Sequence, residues 1–196
     1  MSEPELFIIE SLQFDDEKKK LFEGRVISQI LHLSNKKSIY YYIRTKAELS
    51  EVLRIFKECD YRYLHISSHG SNKAIHTTID DITFHELGKM LNPVLYNRRL
   101  FLSACSMTNV NLARQIMPES GCFSIVGPKK AVNFNDAAIL WATFYHLMFK
   151  SNARVMKHAQ LEKHVQNVSS MFKVPLNYYK RSKNKSGYQT KTISPL

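Results

Sequence analysis

The sequence has no hydrophobic run long enough to cross a membrane. Its longest nearly apolar stretch, ILWATFYHLMF at 139–149, is well short of the roughly 18 residues that a membrane-spanning helix needs. The chain opens with MSEPELFIIESL, an acidic start whose apolar run is too short for the hydrophobic region of a signal peptide. These absences predict a soluble protein of the cytoplasm.

Cysteine is also scarce. Only Cys59, Cys105 and Cys122 occur, and they form neither a CxxC pair nor a metal-ligand spacing. A small, odd number of cysteines in an intracellular chain indicates free thiols rather than a disulfide framework. The histidines share no common spacing either, so we expect no metal and no other cofactor. Each cysteine is therefore either a core residue or a nucleophile.

Acidic residues are missing from the end of the chain. The last is Glu162, and seven of the 28 lysines and arginines follow it, which leaves 21 basic against 17 acidic side chains in residues 1–162. We predict a single domain over residues 1–174 and a basic, flexible tail over residues 175–196. Lysines, arginines and tyrosines at 173–196 leave nucleic-acid binding open. A self-inhibitory position across an active site is open as well.

The chain does have a regular alternation of apolar and amphipathic segments. Strands are predicted at 6–12, 38–44, 61–67, 98–105 and 121–127, with a short hairpin at 73–84. Helices are predicted at 16–33, 46–59, 84–91, 109–118, 136–150 and 154–172. This alternation predicts an α/β fold, a three-layer α/β/α sandwich on a mostly parallel sheet.

Two of the predicted strands end in reactive residues. YLHISSHG places His69 and Gly70 after one strand, and LFLSAC places Cys105 36 residues beyond His69. That separation fits one crossover, so the strands can be neighbours, and catalytic groups collect at the carboxyl ends of such strands. We predict that His69 and Cys105 form a nucleophilic dyad. His65, inside its strand, is predicted to be packed or hydrogen-bonded. The alternative is that Cys105 is an inert core residue and His69 a turn residue.

A strand ending in His-Gly, followed by a later strand ending in Ala-Cys, resembles the caspase-type fold of caspases, gingipains, separases and bacterial CHAT proteases. The matching pieces are YLHISSHG (63–70) and LFLSACSMTN (100–109). The stretch at 124–159 is also similar to CHAT domains, in which a strand ends in glycine and a following helix carries a Phe-Tyr pair, here Phe144-Tyr145. The resemblance covers roughly residues 60–160 and is identified as CHAT-type, in a bacterial protein.

The resemblance implies a cysteine endopeptidase. His69 would be the general base and acid, Cys105 the nucleophile, and the backbone N–H groups of Gly70 and Cys105 the oxyanion hole. Ser103 is expected at the substrate pocket. Asp136 either faces that pocket, where it would favour a basic substrate side chain, or caps the start of a helix.

The resemblance also implies a biological setting. Relatives of this size are commonly effectors of bacterial antiviral defence or programmed cell death. By analogy, this chain would be a regulated effector that cleaves a protein substrate and needs an activating partner or a small signal molecule. The alternative reading is a catalytically inactive binding module on the same fold, and the oligomeric state is left open.

Overall fold

The computed structural model describes residues 5–196, so the first four residues of the acidic opening considered above lie outside the described residues. The strands are β1 (Leu6–Glu10), β2 (Ser38–Tyr42), β3 (Tyr63–Ser67), β4 (His69–Gly70), β5 (Ala74–His76), β6 (Asp81–Thr83), β7 (Arg99–Ser103), β8 (Ser124–Pro128), β9 (Leu176–Arg181) and β10 (Tyr188–Ile193). The helices are α1 (Phe14–Lys18), α2 (Glu23–Leu33), α3 (Lys46–Glu58), α4 (Phe84–Leu91), α5 (Val110–Ser120), α6 (Phe134–Ser151) and α7 (His158–Phe172).

One seven-stranded sheet runs through the molecule in the order β10-β9-β8-β7-β3-β1-β2. The strands from β8 to β2 are parallel, whereas β9 and β10 are antiparallel additions at one edge. The hairpin predicted at 73–84 forms β5 and β6, which make a small second sheet with β4.

The sheet is buried on both faces. Along β7, Leu100 and Leu102 join the buried cluster that includes α3, α4 and α5, while Phe101 joins the cluster of α2, α6 and α7 on the other face. Successive residues of a strand point to opposite faces, so one apolar strand serves both layers. The predicted three-layer α/β/α sandwich is therefore confirmed.

The helix predicted at 16–33 is interrupted. The structure has α1 and α2 in its place, and the connection includes Lys20 with a positive φ of 61°. The lysine run Lys18–Lys20 offers no apolar side chain to bury, so tertiary packing does not hold a helix there. The break matters because it sets Asp16 and Glu23 on separate elements.

The prediction of a flexible tail over 175–196 needs correction. Residues 176–193 form β9 and β10, and β9 pairs with β8 along its length. Tyr178, Tyr179 and Tyr188 are buried in this hairpin, so aromatic burial outweighs the basic composition that suggested disorder. Among residues 5–196, no helix combines the length and apolar character needed to cross a bilayer.

Candidate active site

The carboxyl ends of β3 and β7 bring the predicted dyad residues to one edge of the sheet. The two strands are parallel neighbours, with Ser67 opposite Ser103. His69 and Cys105 each follow two residues later, so both leave the sheet at the same level. The predicted adjacency of these strands is confirmed.

The imidazole of His69 has an acidic partner that the sequence analysis does not name. Its Nε2 lies 2.6 Å from Oδ2 of Asp16 in α1, and the two side chains are 30% and 16% exposed. The ring of Phe134, at the start of α6, stands edge-on to the imidazole with centroids 5.3 Å apart. The aromatic contact and the carboxylate together limit the orientations of His69, and the partial exposure leaves the ring open to a substrate.

Cys105 lies in a tight turn directly after β7. The next residue, Ser106, has a φ of 56°, a left-handed conformation that is uncommon for a non-glycine residue. Asn109 holds the turn, since its Nδ2 donates to the Ser106 carbonyl at 3.0 Å while its Oδ1 caps α5. The half-buried Cys105 thiol has only a long contact, 3.8 Å, to the carbonyl of Val132.

Gly70 approaches the Cys105 turn closely. A Cβ added at Gly70 would stand 3.1 Å from Cβ of Ala104 and 3.4 Å from the carbonyl oxygen of Cys105. The pairing of β4 with β5 also orients the Gly70 N–H. The backbone N–H of Ser71 donates to the carbonyl of Ala74. Along an antiparallel ladder, residue pairs that share hydrogen bonds alternate with pairs that do not. The Gly70 N–H therefore points away from β5.

The dyad residues line a shared cavity of about 300 Å³. Its walls come from the ends of β3 and β7, from α2 and from the connection between β8 and α6, and its lining residues are Glu23, Ser68, His69, Ser103, Ala104, Cys105, Pro128, Ala131, Val132, Asn133, Phe134 and Ala137. None of these belongs to residues 175–196.

Asp136 is not part of this lining, and it is not the helix cap either. The cap position of α6 is Asn133, and Asp136 is the third helical residue. Phe134 and Ala137 face the cavity. At about 100° per residue, Asp136 points roughly 200° around the helix from Phe134. Because Asp136 lies in the first turn of α6, its negative charge instead interacts favourably with the helix dipole.

Ser103 does line the cavity, and its hydroxyl is engaged by a buried acid. Ser103 Oγ donates to Oε2 of Glu23 at 2.8 Å. The other oxygen, Oε1, lies 3.3 Å from Nε2 of His65 without forming a hydrogen bond. His65 is fully buried and its Nδ1 is 2.9 Å from the hydroxyl of Tyr145, which confirms that it is a hydrogen-bonded core residue.

A second buried acid lies behind Glu23. Glu10, at the end of β1, accepts hydrogen bonds from the Gly24 N–H and the Tyr40 hydroxyl, both at 2.7 Å. Burial raises the pKa of Glu10 to about 7, although these hydrogen bonds oppose the shift. Two acidic side chains thus lie close to the edge of the sheet where the parallel strands end. Glu23 is in the cavity wall and Glu10 is beneath it.

The other two cysteines lie away from this cavity. Burial raises the pKa of the Cys122 thiol to about 12, and it also raises the pKa of Cys59. A raised pKa keeps a thiol protonated at neutral pH and so suppresses its nucleophilicity. Within residues 5–196, no group of three or more His, Cys, Asp or Glu side chains is arranged to hold a metal ion.

Comparison with solved structures finds the same architecture in cysteine proteases. A secreted cysteine protease from Bacteroides thetaiotaomicron, in complex with an irreversible peptide inhibitor, matches with a TM-score of 0.62 at 10% identity, over 90% of this chain and 66% of its own. Caspase-1 from Spodoptera frugiperda matches with a TM-score of 0.55 at 14% identity, over 98% of this chain and 85% of its own. The fold is caspase-like.

The Arg-specific cysteine proteinase gingipain R shares the caspase-like fold with a TM-score of 0.55 at 12% identity, over 93% of this chain and 43% of its own. The chain therefore spans just under two thirds of the Bacteroides protease and less than half of gingipain R. No family model and no curated protein matches the sequence.

Two acidic residues of this caspase-like chain escaped the sequence analysis. Asp16 and Glu23 both follow β1, and β1 is the parallel neighbour of β3. Placing β1 beside β3 would have put its carboxyl end at the same edge as His69. The signal was the acidic stretch after the first strand, but a continuous helix over 16–33 obscured it.

Proposed function

We propose that the chain is a cysteine endopeptidase in which His69 and Cys105 form the catalytic dyad. One observation carries the proposal: a thiol and an imidazole follow adjacent parallel strands at equivalent positions and line one cavity. The fold is the one found in the cysteine proteases above. The CHAT-type assignment stays a prediction.

The arrangement suits acyl transfer. Cys105 Sγ attacks the substrate carbonyl as its proton passes to His69, and the carbonyl oxygen becomes an oxyanion. The N–H groups of Gly70 and Cys105 are its proposed donors. His69 returns the proton to the departing amine and the carbon–nitrogen bond breaks, which leaves a thioester. Water, deprotonated by His69, then hydrolyses the thioester and restores the Cys105 thiol.

Asp16 is proposed as the positioning residue of the dyad. When Nε2 of His69 donates to Asp16, Nδ1 is the nitrogen left to take the thiol proton. A carboxylate in this position fixes the tautomer and orientation of the imidazole and stabilises its cationic form.

The biological setting rests on the resemblance alone. We propose a regulated effector of bacterial antiviral defence or programmed cell death that cleaves a protein substrate once an activating partner or small signal molecule has acted. Co-expression with candidate triggers, followed by recovery of cleaved proteins, tests this part. Co-expression with the correct trigger should also arrest growth, and an arrest that persists with Cys105→Ala would contradict the proposed role.

The chemistry is tested by labelling the thiols. The purified protein is treated with a peptidyl chloromethyl ketone, whose carbon forms a bond to sulfur as chloride leaves, and the modified cysteine is located by mass spectrometry. We expect Cys105 to react and Cys59 and Cys122 to remain free, because burial raises the pKa of both of these thiols. Cleavage of a peptide library should disappear with Cys105→Ala. Equal cleavage by that variant would overturn the proposed function.

A further inference from the structure

Glu23 stands out among the residues of the cavity wall. It is the first residue of α2, its side chain is 2% exposed, and it is the one acidic residue among those that line the cavity. No lysine or arginine is among the lining residues. The cavity that holds the Cys105 thiol is therefore lined by one buried acidic group and, apart from the His69 imidazole, by no side chain that could carry a positive charge.

The hydrogen bonding of Glu23 is incomplete. Oε2 accepts from Ser103, but Oε1 is buried without a hydrogen-bond partner among the described residues. Its nearest basic group is His65 Nε2, which is also left without a hydrogen bond. A buried acid with an unsatisfied oxygen is costly unless a donor or a cation completes it. A positively charged group bound in the cavity would stabilise the carboxylate that forms part of its wall.

The shape of the cavity indicates a single side chain as that ligand. About 300 Å³ is at the lower limit of small-molecule pockets. Small residues, Ser103, Ala131 and Ala137, line it and leave room for a long, narrow group. Apolar walls from Val132 and Phe134 suit the methylene stem of such a group, while its charged end meets the acid.

We propose that this cavity binds the arginine or lysine side chain that precedes the cleaved bond, with Glu23 as its counter-ion. The inference rests on the proposed function, since it names the substrate of the same site. The guanidinium group of arginine fits best, because it stays charged and presents several donors in one plane, so it can approach the carboxylate beside the Ser103 hydroxyl. The basic preference expected for Asp136 thus passes to a residue that the sequence analysis does not name.

The test compares peptidyl chloromethyl ketones that differ only in the last residue: arginine, citrulline, norleucine and aspartate. Citrulline keeps the shape of arginine without its charge. We expect Cys105 of the full chain to be alkylated about 100-fold faster by the arginyl ketone than by the citrulline ketone, the scale of a buried charge pair. The aspartyl ketone should be slowest.

Glu23→Gln should reduce the arginine-to-citrulline ratio to below about 10. Asp136→Asn is the matched control and should leave the ratio unchanged. A merely structural role of Glu23 would slow all four ketones equally and leave the ratio intact, which would overturn the inference. Glu23→Asp keeps the charge and serves if Glu23→Gln does not fold; its ratio should fall between the two. If neither folds, the wild-type series decides alone.

The outcomes separate the two proposals. Alkylation of Cys105 that is as fast with citrulline, norleucine or aspartate as with arginine overturns the inference and leaves the endopeptidase intact. A ratio that collapses with Asp136→Asn instead returns the preference to Asp136. Failure of every ketone to modify Cys105 overturns the proposed function itself, and with it the inference.

Discussion

His65 and His69 are four residues apart in one segment, and each faces an acid that follows β1. The rim pair, His69 with Asp16, has a contact of 2.6 Å and side chains 30% and 16% exposed. The deep pair, His65 with Glu23, has a contact of 3.3 Å and side chains 0% and 2% exposed. Residue types are nearly the same in the two pairs. The two pairs differ in their exposure to solvent and in whether a thiol lies nearby.

The difference teaches that a histidine–acid pair has no fixed role. In the proposed enzyme, the imidazole of the rim pair would exchange protons with a substrate, and the acid would control its orientation. In the deep pair, the imidazole bonds Tyr145 and cannot reach a substrate, so it contributes to packing. The acid of the deep pair, in contrast, reaches the cavity wall. In the proposed enzyme, the rim pair would take part in catalysis. The deep pair would stabilise the fold and, through Glu23, contribute to substrate recognition.

The largest expected effect comes from removing the rim imidazole. His69→Ala should slow alkylation of Cys105 by about 1,000-fold, within the range that a positioned acid–base group contributes. His76→Ala is the matched control, because His76 is about as exposed as His69 and also pairs with an aspartate, the more exposed Asp81, but lies outside the cavity. Rates measured by intact-protein mass spectrometry check the prediction, and equal rates for the two variants would contradict it.

Removing the rim acid should have a smaller effect. Asp16→Asn is expected to lower the maximal alkylation rate by about 100-fold, less than in a serine hydrolase, because a thiol needs less help to ionise. The ketone concentration at half-maximal rate should stay unchanged, and Asp16→Glu should restore part of the rate. Asp81→Asn serves as the control. A loss confined to the fraction of reactive protein would indicate misfolding rather than positioning.

Disrupting the deep pair should affect stability. His65→Phe removes the partner of the Tyr145 hydroxyl and leaves Glu23 without its basic neighbour. We expect a loss of about 2 kcal/mol in the free energy of unfolding, measured by urea denaturation. His146→Phe, at an exposed position of the same helix as Tyr145, should change it by less than about 0.5 kcal/mol. Similar losses in both variants would argue against a specific buried pair.

The last expected effect is a dependence of stability on pH, and it concerns the acid beneath Glu23. The folded-state pKa of Glu10, about 7, lies above the ordinary value of 4.5, so the folded state holds the proton more tightly than the unfolded state. Stability from this group is fully present below about pH 4.5 and is lost as pH rises through 7. We expect Glu10 to contribute a decline of about 1 kcal/mol per pH unit between these values. Urea denaturation of Glu10→Gln should show a flatter profile; parallel profiles would contradict the assignment.

The sequence pattern predicted much of the fold, because apolar strands and amphipathic helices are local signals. The strand ends at His69 and Cys105 followed from it, since parallel neighbours share an edge. The acids were missed for a non-local reason. Their place depends on β1 pairing with β3 and on a break at Lys20, and neither is encoded in periodicity. Burial of Tyr178 and Tyr188 likewise depends on the pairing of β9 with β8, which is adjacent in the sheet but about 50 residues earlier in the sequence.

The C-terminal hairpin, β9 and β10, contacts the turn that follows Cys105. Asn177, in β9, donates to the carbonyl of Thr108 at 2.7 Å, and Thr192, in β10, donates to Asn177 at 2.8 Å. During synthesis these bonds form only after both strands have left the ribosome, long after Cys105. A nascent chain that already carries His69 and Cys105 thus lacks the contact that holds the turn after Cys105, and the order of translation delays completion of the cavity edge.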